Sequence, residues 1–218
     1  MDVISNAVIN INGSDVVVST ATANIYEYFA KKTDTQFVPD FVDDLFIKLF
    51  QINYLRDAGD YYCDEKITRS NWTHHTANTF LRTCQMLNFS CEFEIENRHD
   101  AAVRDRDGNV YICAEWEYDT NSIFNGKGEI KKLYETCVKH SSCVPLLFTY
   151  KIGEDYIDFV EKIFKEWNSI LDDENECKLY LLTALFQKNE IDKVRELTGI
   201  RTVIIGRGTI DLWDDNTY

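Results

Sequence analysis

The chain has 218 residues, of which 44% are hydrophobic and 13% aromatic. Such a composition supplies enough apolar side chains for a buried core, which excludes an intrinsically disordered chain. Apolar runs stay shorter than the roughly 20 residues of a membrane-spanning helix, and the first residues do not resemble a signal peptide. We therefore expect a cytoplasmic protein without membrane contact.

The charge is strongly negative, with 37 acidic against 23 basic residues and a formal net charge of −14. A surface of this sign repels polyanions, which counts against nonspecific nucleic-acid binding. The excess is uneven, however, because residues 101–151 carry acidic and basic side chains in equal number. A polyanion such as DNA is therefore best accommodated by this middle segment.

Seven cysteines are present, an odd number, and none of them forms a Cys-x-x-Cys pair. This spacing favours reduced thiols in an apolar core over a disulfide framework or a zinc site. Reduced thiols are typical of cytosolic proteins, which agrees with the expected location.

The N-terminal part contains a predicted hairpin and two predicted helices. The hairpin is expected in the first twenty residues, with its turn at Asn12-Gly13-Ser14. Over Phe37–Tyr54, apolar residues recur at spacings of three and four, which indicates an amphipathic helix. A second helix is expected to begin near Asn71 or Thr73 and to end at Leu87.

Helices and strands alternate in the remainder of the chain. Phe89–Glu96 alternates with period two and is predicted as a strand, and a β-hairpin follows it. The remaining predicted elements, in the order helix, strand, helix, strand, helix and strand, span 128–140, 144–150, 155–171, 179–186, 190–197 and 202–212. This order predicts an α/β fold with a mixed central sheet flanked by helices.

The expected domain organisation is a single domain over residues 1–218. Its core spans about residues 70–152. An N-terminal helical and hairpin extension, residues 1–69, precedes the core, and a C-terminal α/β extension, residues 153–218, follows it.

The hairpin that follows Phe89–Glu96 is the most informative segment. Asp107-Gly108 at its centre predicts a two-residue type I′ turn. In the register that this turn sets, Asp100 lies opposite Glu115, and Arg98 lies opposite Glu117. Because side chains alternate along a strand, both glutamates share one face, and Ile112, Ala114 and Trp116 lie on the other.

Three carboxylates would therefore meet on one face of the hairpin. Two unit charges about 4 Å apart repel by roughly 4 kcal/mol at an effective dielectric constant near 20, which destabilises the sheet. A shared divalent cation would compensate this repulsion, since Mg²⁺ binds one or two carboxylates together with water and phosphate. The alternative is a solvated face on which Arg98 and Arg104 neutralise the acids.

The order helix, strand, hairpin, helix and strand resembles the PD-(D/E)XK nuclease superfamily. The matching residues are Asp100 on the first hairpin strand and Glu115-Trp116-Glu117 on the second. His99 stands where the motif has Pro, and Glu117 replaces the Lys that most members carry, as in restriction endonucleases that use Glu-x-Glu. The resemblance covers about residues 70–152 and implies a restriction-endonuclease-like core.

This resemblance implies metal-dependent hydrolysis of DNA phosphodiester bonds by an endonuclease. Asp100 and Glu115 would hold Mg²⁺ or Mn²⁺, and Glu117 would act as a further ligand or orient the attacking water. Three lysines beyond the second strand would contact phosphate or replace the missing Lys: Lys127, Lys131 and Lys132.

A second hypothesis is a non-catalytic acidic protein that keeps the nuclease-like fold. It would act as a regulatory subunit or as a mimic of DNA that occupies a partner's DNA-binding surface. The net charge of −14 favours this hypothesis, whereas the neutral middle segment and the opposed acids favour the nuclease. The expected partner is DNA in the first case and a protein in the second, and a homodimer is compatible with both.

Three other motifs have simpler interpretations. His74-His75 is expected at the surface or as a helix cap, because neighbouring residues on a helix do not face together. His99 is expected to be a histidine at the hairpin edge. Gly206-Arg207-Gly208 lacks the strand-to-helix context of a phosphate-binding loop and is interpreted as a bulge or tight bend.

Overall fold

The computed structural model describes residues 6–11, 14–19, 45–62, 68–105, 107–119, 121–124, 128–152, 156–172, 176–188 and 195–217. The chain divides into two compact units, Met1–Asp43 and Asp44–Tyr218. The expectation of a single domain over residues 1–218 stays a prediction. Among the described residues, no helix has both the length and the apolar character needed to cross a membrane.

The first unit contains the predicted N-terminal hairpin. Strands β1 (Asn6–Ile11) and β2 (Ser14–Ser19) pair antiparallel, and Ile11 pairs with Ser14 next to the reversal. The predicted turn begins at residue 12, and residues 12 and 13 lie outside the described ranges.

The second unit is built on a mixed sheet. Its described residues form seven strands that lie in the sheet in chain order. They are β3 (Ser90–Ile95), β4 (His99–Arg104), β5 (Val110–Glu117), β6 (Val144–Ile152), β7 (Leu179–Lys188), β8 (Arg195–Gly206) and β9 (Thr209–Thr217). Strands β5, β6 and β7 are parallel, and the other neighbouring pairs are antiparallel. The predicted α/β class with a mixed sheet is confirmed.

Helices cover both faces of this sheet. They are α1 (Ile47–Tyr62), α2 (Arg69–Leu87), α3 (Glu129–Lys139) and α4 (Tyr156–Ile170), with a short 3₁₀ turn at Ser122–Phe124. Helices α3 and α4 connect the parallel strands, as such pairs require a crossover. Because helices pack on both faces, both faces of β5 are buried along most of its length.

The face under α1 and α2 is dominated by aromatic side chains. Phe50 of α1 and Trp72 of α2 contact the ring of Phe148 on β6, with centroid distances of 5.2 and 5.8 Å. Phe80 of α2 contacts Trp116 of β5 at 5.4 Å. Trp116 is thus a packing residue on the apolar face, as the alternation along the hairpin predicted.

The opposite face packs against α3 and α4. Leu133 of α3 and Ile163 and Trp167 of α4 are fully buried and form one cluster with Leu147 and Leu181 of the sheet. These residues recur at helical spacing, which is why the two helices were predicted from the sequence.

Two predicted elements differ from the structure. The first helix extends to Tyr62 rather than ending at Tyr54, and its predicted start lies outside the described ranges. The last turns of this helix lack apolar periodicity, which is why the sequence did not predict them. A hydrogen bond of 2.6 Å joins the hydroxyl groups of Tyr54 and Tyr62 within these turns. The helix predicted at 190–197 is wrong for residues 195–197, which belong to β8 and pair with β7.

The last predicted strand, 202–212, is a hairpin rather than one strand. Strand β8 ends at Gly206 and β9 begins at Thr209, and these two residues pair. Gly208 has a φ of 67°, a left-handed conformation that glycine adopts without strain. The prediction of a tight bend at Gly206-Arg207-Gly208 is therefore confirmed.

Candidate active site

The reversal between β4 and β5 differs from the predicted two-residue turn. The backbone N–H of Asp105 donates to the carbonyl of Asn109 at 3.1 Å, so Asn109 pairs with Asp105. Gly108 has a φ of 86°, and the Asp105 carboxylate accepts the backbone N–H groups of Asp107 and Asn109. The predicted type I′ turn centred on Asp107-Gly108 is therefore wrong.

The predicted register is nevertheless correct nearer the site. Arg104 pairs with Val110, but the next pair is Val103 with Ile112, because a β-bulge shifts the ladder by one residue. The turn is one residue longer than predicted, and the bulge shifts the pairing by one residue in the opposite direction, so the two changes cancel. Ala101 consequently pairs with Ala114, and Asp100 and Glu115 are the residues that adjoin this pair on the two strands.

Asp100, Glu115 and Glu117 line one cleft of about 510 Å³. The cleft lies beside the β4–β5 pair and also receives side chains from α2, from α3 and from the connection between β3 and β4. The three acids predicted from the sequence therefore share one solvent-accessible space. The lining of the cleft also includes charged residues of both signs: Arg69, Glu94, Arg98, Glu129 and Lys132.

Asp100 is half-buried at the floor of this cleft. Its Oδ2 atom accepts the backbone N–H of Trp116 at 2.8 Å, which fixes the carboxylate against β5. Burial raises the pKa of Asp100 to about 6, although the hydrogen bond from Trp116 and the charge of Lys132 oppose this rise.

Glu115 is only 2% exposed and lies among charged groups. Its Oε1 atom is 2.6 Å from Nζ of Lys132 and 2.5 Å from Nδ1 of His99. Burial raises the pKa of Glu115 well above its usual range, and Glu129 and Asp100 add to the rise, while Lys132 opposes it. The predicted alternative of a merely solvated face is therefore wrong for Glu115.

His99 is the first residue of β4, at the edge of the hairpin as expected, and its side chain is fully buried. The ring lies between Glu115 and Thr136 of α3, with Nε2 at 2.6 Å from the Thr136 hydroxyl. Burial lowers the pKa of His99 to about 4, and the nearby charge of Lys132 lowers it further. The neutral ring can donate from Nδ1 to Glu115 and accept at Nε2 from Thr136, which orients the glutamate.

Glu117 ends β5 and is half-buried. Burial raises the pKa of Glu117, and Arg69, at the start of α2, lowers it. The predicted pairing with Arg98 does not form, because Arg98 belongs to the turn before β4 rather than to the strand.

That turn, Glu96 to Arg98, has left-handed backbone at all three residues, with φ values of 48°, 68° and 60°. Non-glycine residues adopt this conformation at a cost of roughly 1–2 kcal/mol each. The Glu96 carboxylate offsets part of the cost by binding Arg104, Lys139 and His140 at 2.6, 3.1 and 3.2 Å. The turn places Arg98 on the rim of the cleft.

Arg104 was considered as a neutralising partner of the site acids, and this interpretation is wrong. Its guanidinium group binds Glu92 at 2.8 Å and Glu96 at 2.6 Å, and it also donates to the carbonyl of Gly108. Arg104 therefore stabilises the β3–β4 turn and the hairpin reversal instead.

Helix α3 supplies two residues to the cleft. Lys132, one of the three lysines proposed from the sequence, binds Glu115 and also Glu129, the latter at 3.0 Å. Lys131 is exposed and lies 3.8 Å from Glu135, and Lys127 is outside the described residues. Sequence reasoning missed Glu129, although its position in the first helical turn next to the lysines was a signal.

The two neighbouring histidines of α2 lie in different environments, because adjacent residues of a helix do not share a face. His74 is exposed, as expected. His75 is fully buried, which was not expected, and its ring stacks between Tyr54 and Tyr61 at 3.9 and 4.5 Å. Its Nδ1 atom bonds to the Tyr62 hydroxyl at 2.8 Å, so it is a packing residue of the α1–α2 layer.

The acids of the cleft offer oxygen atoms as donors. Its ligand atoms are carboxylate oxygens, which Mg²⁺ and Mn²⁺ prefer over nitrogen or sulfur. Burial raises the pKa values of Asp100, Glu115 and Glu117, so the ionised acids lack compensation from solvent. A cation of charge two would supply that compensation.

Four chains of known structure are similar to this protein. No family model and no curated protein matches the chain. The crystal structure of the YaeQ protein from Xanthomonas axonopodis pv. citri is similar to 64% of this chain and 76% of that chain, with 8% sequence identity and a TM-score of 0.29.

Proposed function

We propose that the protein is a metal-dependent endonuclease that hydrolyses DNA phosphodiester bonds, with a restriction-endonuclease-like core formed by α2, β3–β6 and α3. The observation that carries the proposal is the position of Lys132 beside Glu115 in a cleft that also contains Asp100 and Glu117. Two acids and a lysine in one cleft are the groups that the PD-(D/E)XK motif brings together.

Asp100 and Glu115 would hold Mg²⁺ or Mn²⁺, with Glu117 as a further ligand or as the group that orients the attacking water. When bound, the ion polarises the scissile phosphate and lowers the pKa of a coordinated water. His99 and the backbone N–H of Trp116 hold Glu115 and Asp100 in place, so the ligands are preorganised.

Lys132 would take the role of the lysine that Glu117 replaces. Burial disfavours its protonation, but the ion pairs with Glu115 and Glu129 outweigh burial and raise the pKa of Lys132. It therefore stays an ammonium group at neutral pH. We assign it to stabilising negative charge that develops on the phosphate oxygens, rather than to accepting a proton.

Arg69 and Arg98 would contact the phosphates that flank the scissile bond. Both side chains line the cleft, and contacts of this kind position a nucleic acid without reading its sequence. They offset the repulsion that a net charge of −14 imposes at longer range. We place the enzyme in the cytoplasm, where the six free cysteines of the described residues would stay reduced.

The net charge of −14 favours a second candidate, a non-catalytic acidic protein that mimics DNA. In that case the Glu115–Lys132 ion pair would be a structural feature of a site that does not bind a cation. This candidate predicts neither cleavage nor Mg²⁺ binding.

The test is plasmid cleavage in the presence of Mg²⁺ or Mn²⁺, together with calorimetric titration of the protein with Mg²⁺. We expect wild-type protein to cleave, and both Asp100→Asn and Glu115→Gln to lose cleavage and to bind Mg²⁺ weakly. Glu161→Gln, at an exposed ion pair with Lys165 on α4, is the matched control and should behave as wild type.

Cleavage that survives both cleft substitutions would reject this site. Wild-type protein that neither cleaves DNA nor binds Mg²⁺ would reject the nuclease and support the DNA mimic.

A further inference from the structure

A group of cysteines lies in the core on the α3 side of the sheet. Cys113 of β5, Cys137 of α3 and Cys143 before β6 are buried, and their sulfur atoms all lie within 4.8 Å of one another. Cys177, before β7, is half-buried and packs against the same core cluster, outside the group of three whose sulfur atoms lie within 4.8 Å of one another. Three separate segments of the chain therefore bring sulfur to one place.

The crossover from β5 to β6 creates this group. Cys113 projects to the same face as Glu115, and α3 then returns over that face, which places Cys137 above the strand. After the helix, the N–H of Cys143 donates to the carbonyl of His140 at 2.8 Å, and this turn brings Cys143 back under Cys137. The Cys137 thiol donates to the carbonyl of Cys143 at 3.3 Å.

We propose that Cys113, Cys137 and Cys143, with Cys177 as the fourth ligand, bind one Zn²⁺ ion. Thiolates select zinc over the hard cations that suit the carboxylate cleft. Zinc–sulfur bonds of about 2.3 Å place tetrahedral sulfur ligands about 3.8 Å apart, so the three core thiols need to approach by at most about 1 Å. Half-buried Cys177 gives the ion a route to the site.

This zinc site is independent of the proposed nuclease function, but it would affect the same crossover. Cys137 follows Thr136, which binds His99, and Cys113 lies on the same strand and face as Glu115. A metal that links β5, α3 and β6 would therefore fix α3, and with it Lys132, relative to the two strands.

The test uses Co²⁺ as a spectroscopic probe on reduced wild-type protein. We expect sulfur-to-cobalt charge-transfer absorption that saturates at one Co²⁺ per chain and disappears when Zn²⁺ displaces the probe. Cys137→Ser and Cys143→Ser should each abolish the absorption. Cys177→Ser should reduce its intensity, and an unchanged spectrum in this variant would remove Cys177 from the ligand set.

Two controls separate this site from other thiols and from the cleft. Cys84→Ser, at a buried cysteine of α2, and Asp100→Asn should both keep the full absorption. Wild-type protein without charge-transfer absorption would overturn the proposal, and this measurement does not depend on whether a variant folds. Folded Cys137→Ser and Cys143→Ser proteins that both keep the absorption would overturn it as well.

Discussion

The ammonium group of Lys132, on helix α3, lies 2.6 Å from Oε1 of Glu115, on strand β5. In the nuclease that we propose, Glu117 stands where the PD-(D/E)XK motif has its lysine. Lys132, on a helix that crosses back over the sheet, would then supply the positive charge. This relationship leads to the first prediction.

Replacing Lys132 by Met should reduce kcat for DNA cleavage about 10²- to 10³-fold, the usual effect of removing one preorganised donor. KM should change little, because the interaction strengthens in the transition state. Lys131→Met is the matched control, since the adjacent side chain is exposed and pairs with Glu135. Equal losses of kcat in the two variants would contradict the role of Lys132.

Mg²⁺ binding should depend on pH through Asp100. Its pKa in the metal-free protein is about 6, and the cation competes with the proton for the carboxylate. The proton of Glu115, whose pKa is raised well above its usual range, also competes with the cation, so the apparent Kd for Mg²⁺ should already rise as the pH falls from 7.5 to 6. Below about pH 6 Asp100 should add about a further tenfold per unit. Calorimetry between pH 5 and pH 7.5 would measure the slope, and a slope that does not steepen below about pH 6 would argue against Asp100 as a ligand.

The β3–β4 turn should lose stability in acid because of Glu96. Hydrogen bonds from Arg104 and Lys139 lower the pKa of Glu96 from 4.5 to about 2. Since the folded pKa is depressed, the stabilisation is fully present above pH 4.5 and is lost as the pH falls towards 2. Glu96→Gln should lower the free energy of unfolding by about 1 kcal/mol at pH 6, a modest value because the ion pairs are partly hydrated.

Urea denaturation of wild-type and Glu96→Gln protein at pH 6 and near pH 2.5 would measure this difference. It should shrink at the lower pH, because Glu96 of the unfolded chain is protonated there and the pH approaches the folded pKa of about 2. A difference that is the same at both pH values would show that the loss comes from packing rather than from charge.

Two isoleucines of α4 offer a matched test of the core. Ile163 is fully buried against the sheet, whereas Ile157 is 71% exposed on the same helix. Ile163→Ala should lower the free energy of unfolding by about 2–5 kcal/mol, through lost burial and the cavity that remains. Ile157→Ala should change it by less than about 0.5 kcal/mol. Similar losses in denaturant unfolding would contradict the position of α4.

Alanine substitutions at two glycines should have opposite effects. Gly59 lies within α1, and a Cβ atom there would meet no atom within 4 Å, so Gly59→Ala should stabilise by roughly 0.5–1 kcal/mol. Gly108 also has free space but a φ of 86°, so Gly108→Ala should destabilise by roughly 1–2 kcal/mol. Thermal unfolding would distinguish them, and a shift of the same sign would refute the hairpin geometry.

Much of the fold could be predicted from the sequence because its elements are strongly periodic. The helices over 128–140 and 155–171 were predicted nearly to their ends, since their apolar residues recur with the helical repeat. The helix predicted at 190–197 failed where pairing with β7 outweighs local spacing. The hairpin register was correct although its turn was wrong, because the bulge compensates for a longer reversal.

The sequence by itself determined the α/β class and the placement of Asp100 next to Glu115, because both follow from periodicity and from pairing between adjacent strands. Only the tertiary structure decided that His99, Glu129, Lys132 and Thr136 surround Glu115, and that three cysteines meet in the core on the same side of the sheet. These contacts join residues of a strand to residues of a helix that packs across it. The local pattern predicts that such a helix exists and which face is apolar, but the packing of the two elements sets which of its polar side chains reach the strand.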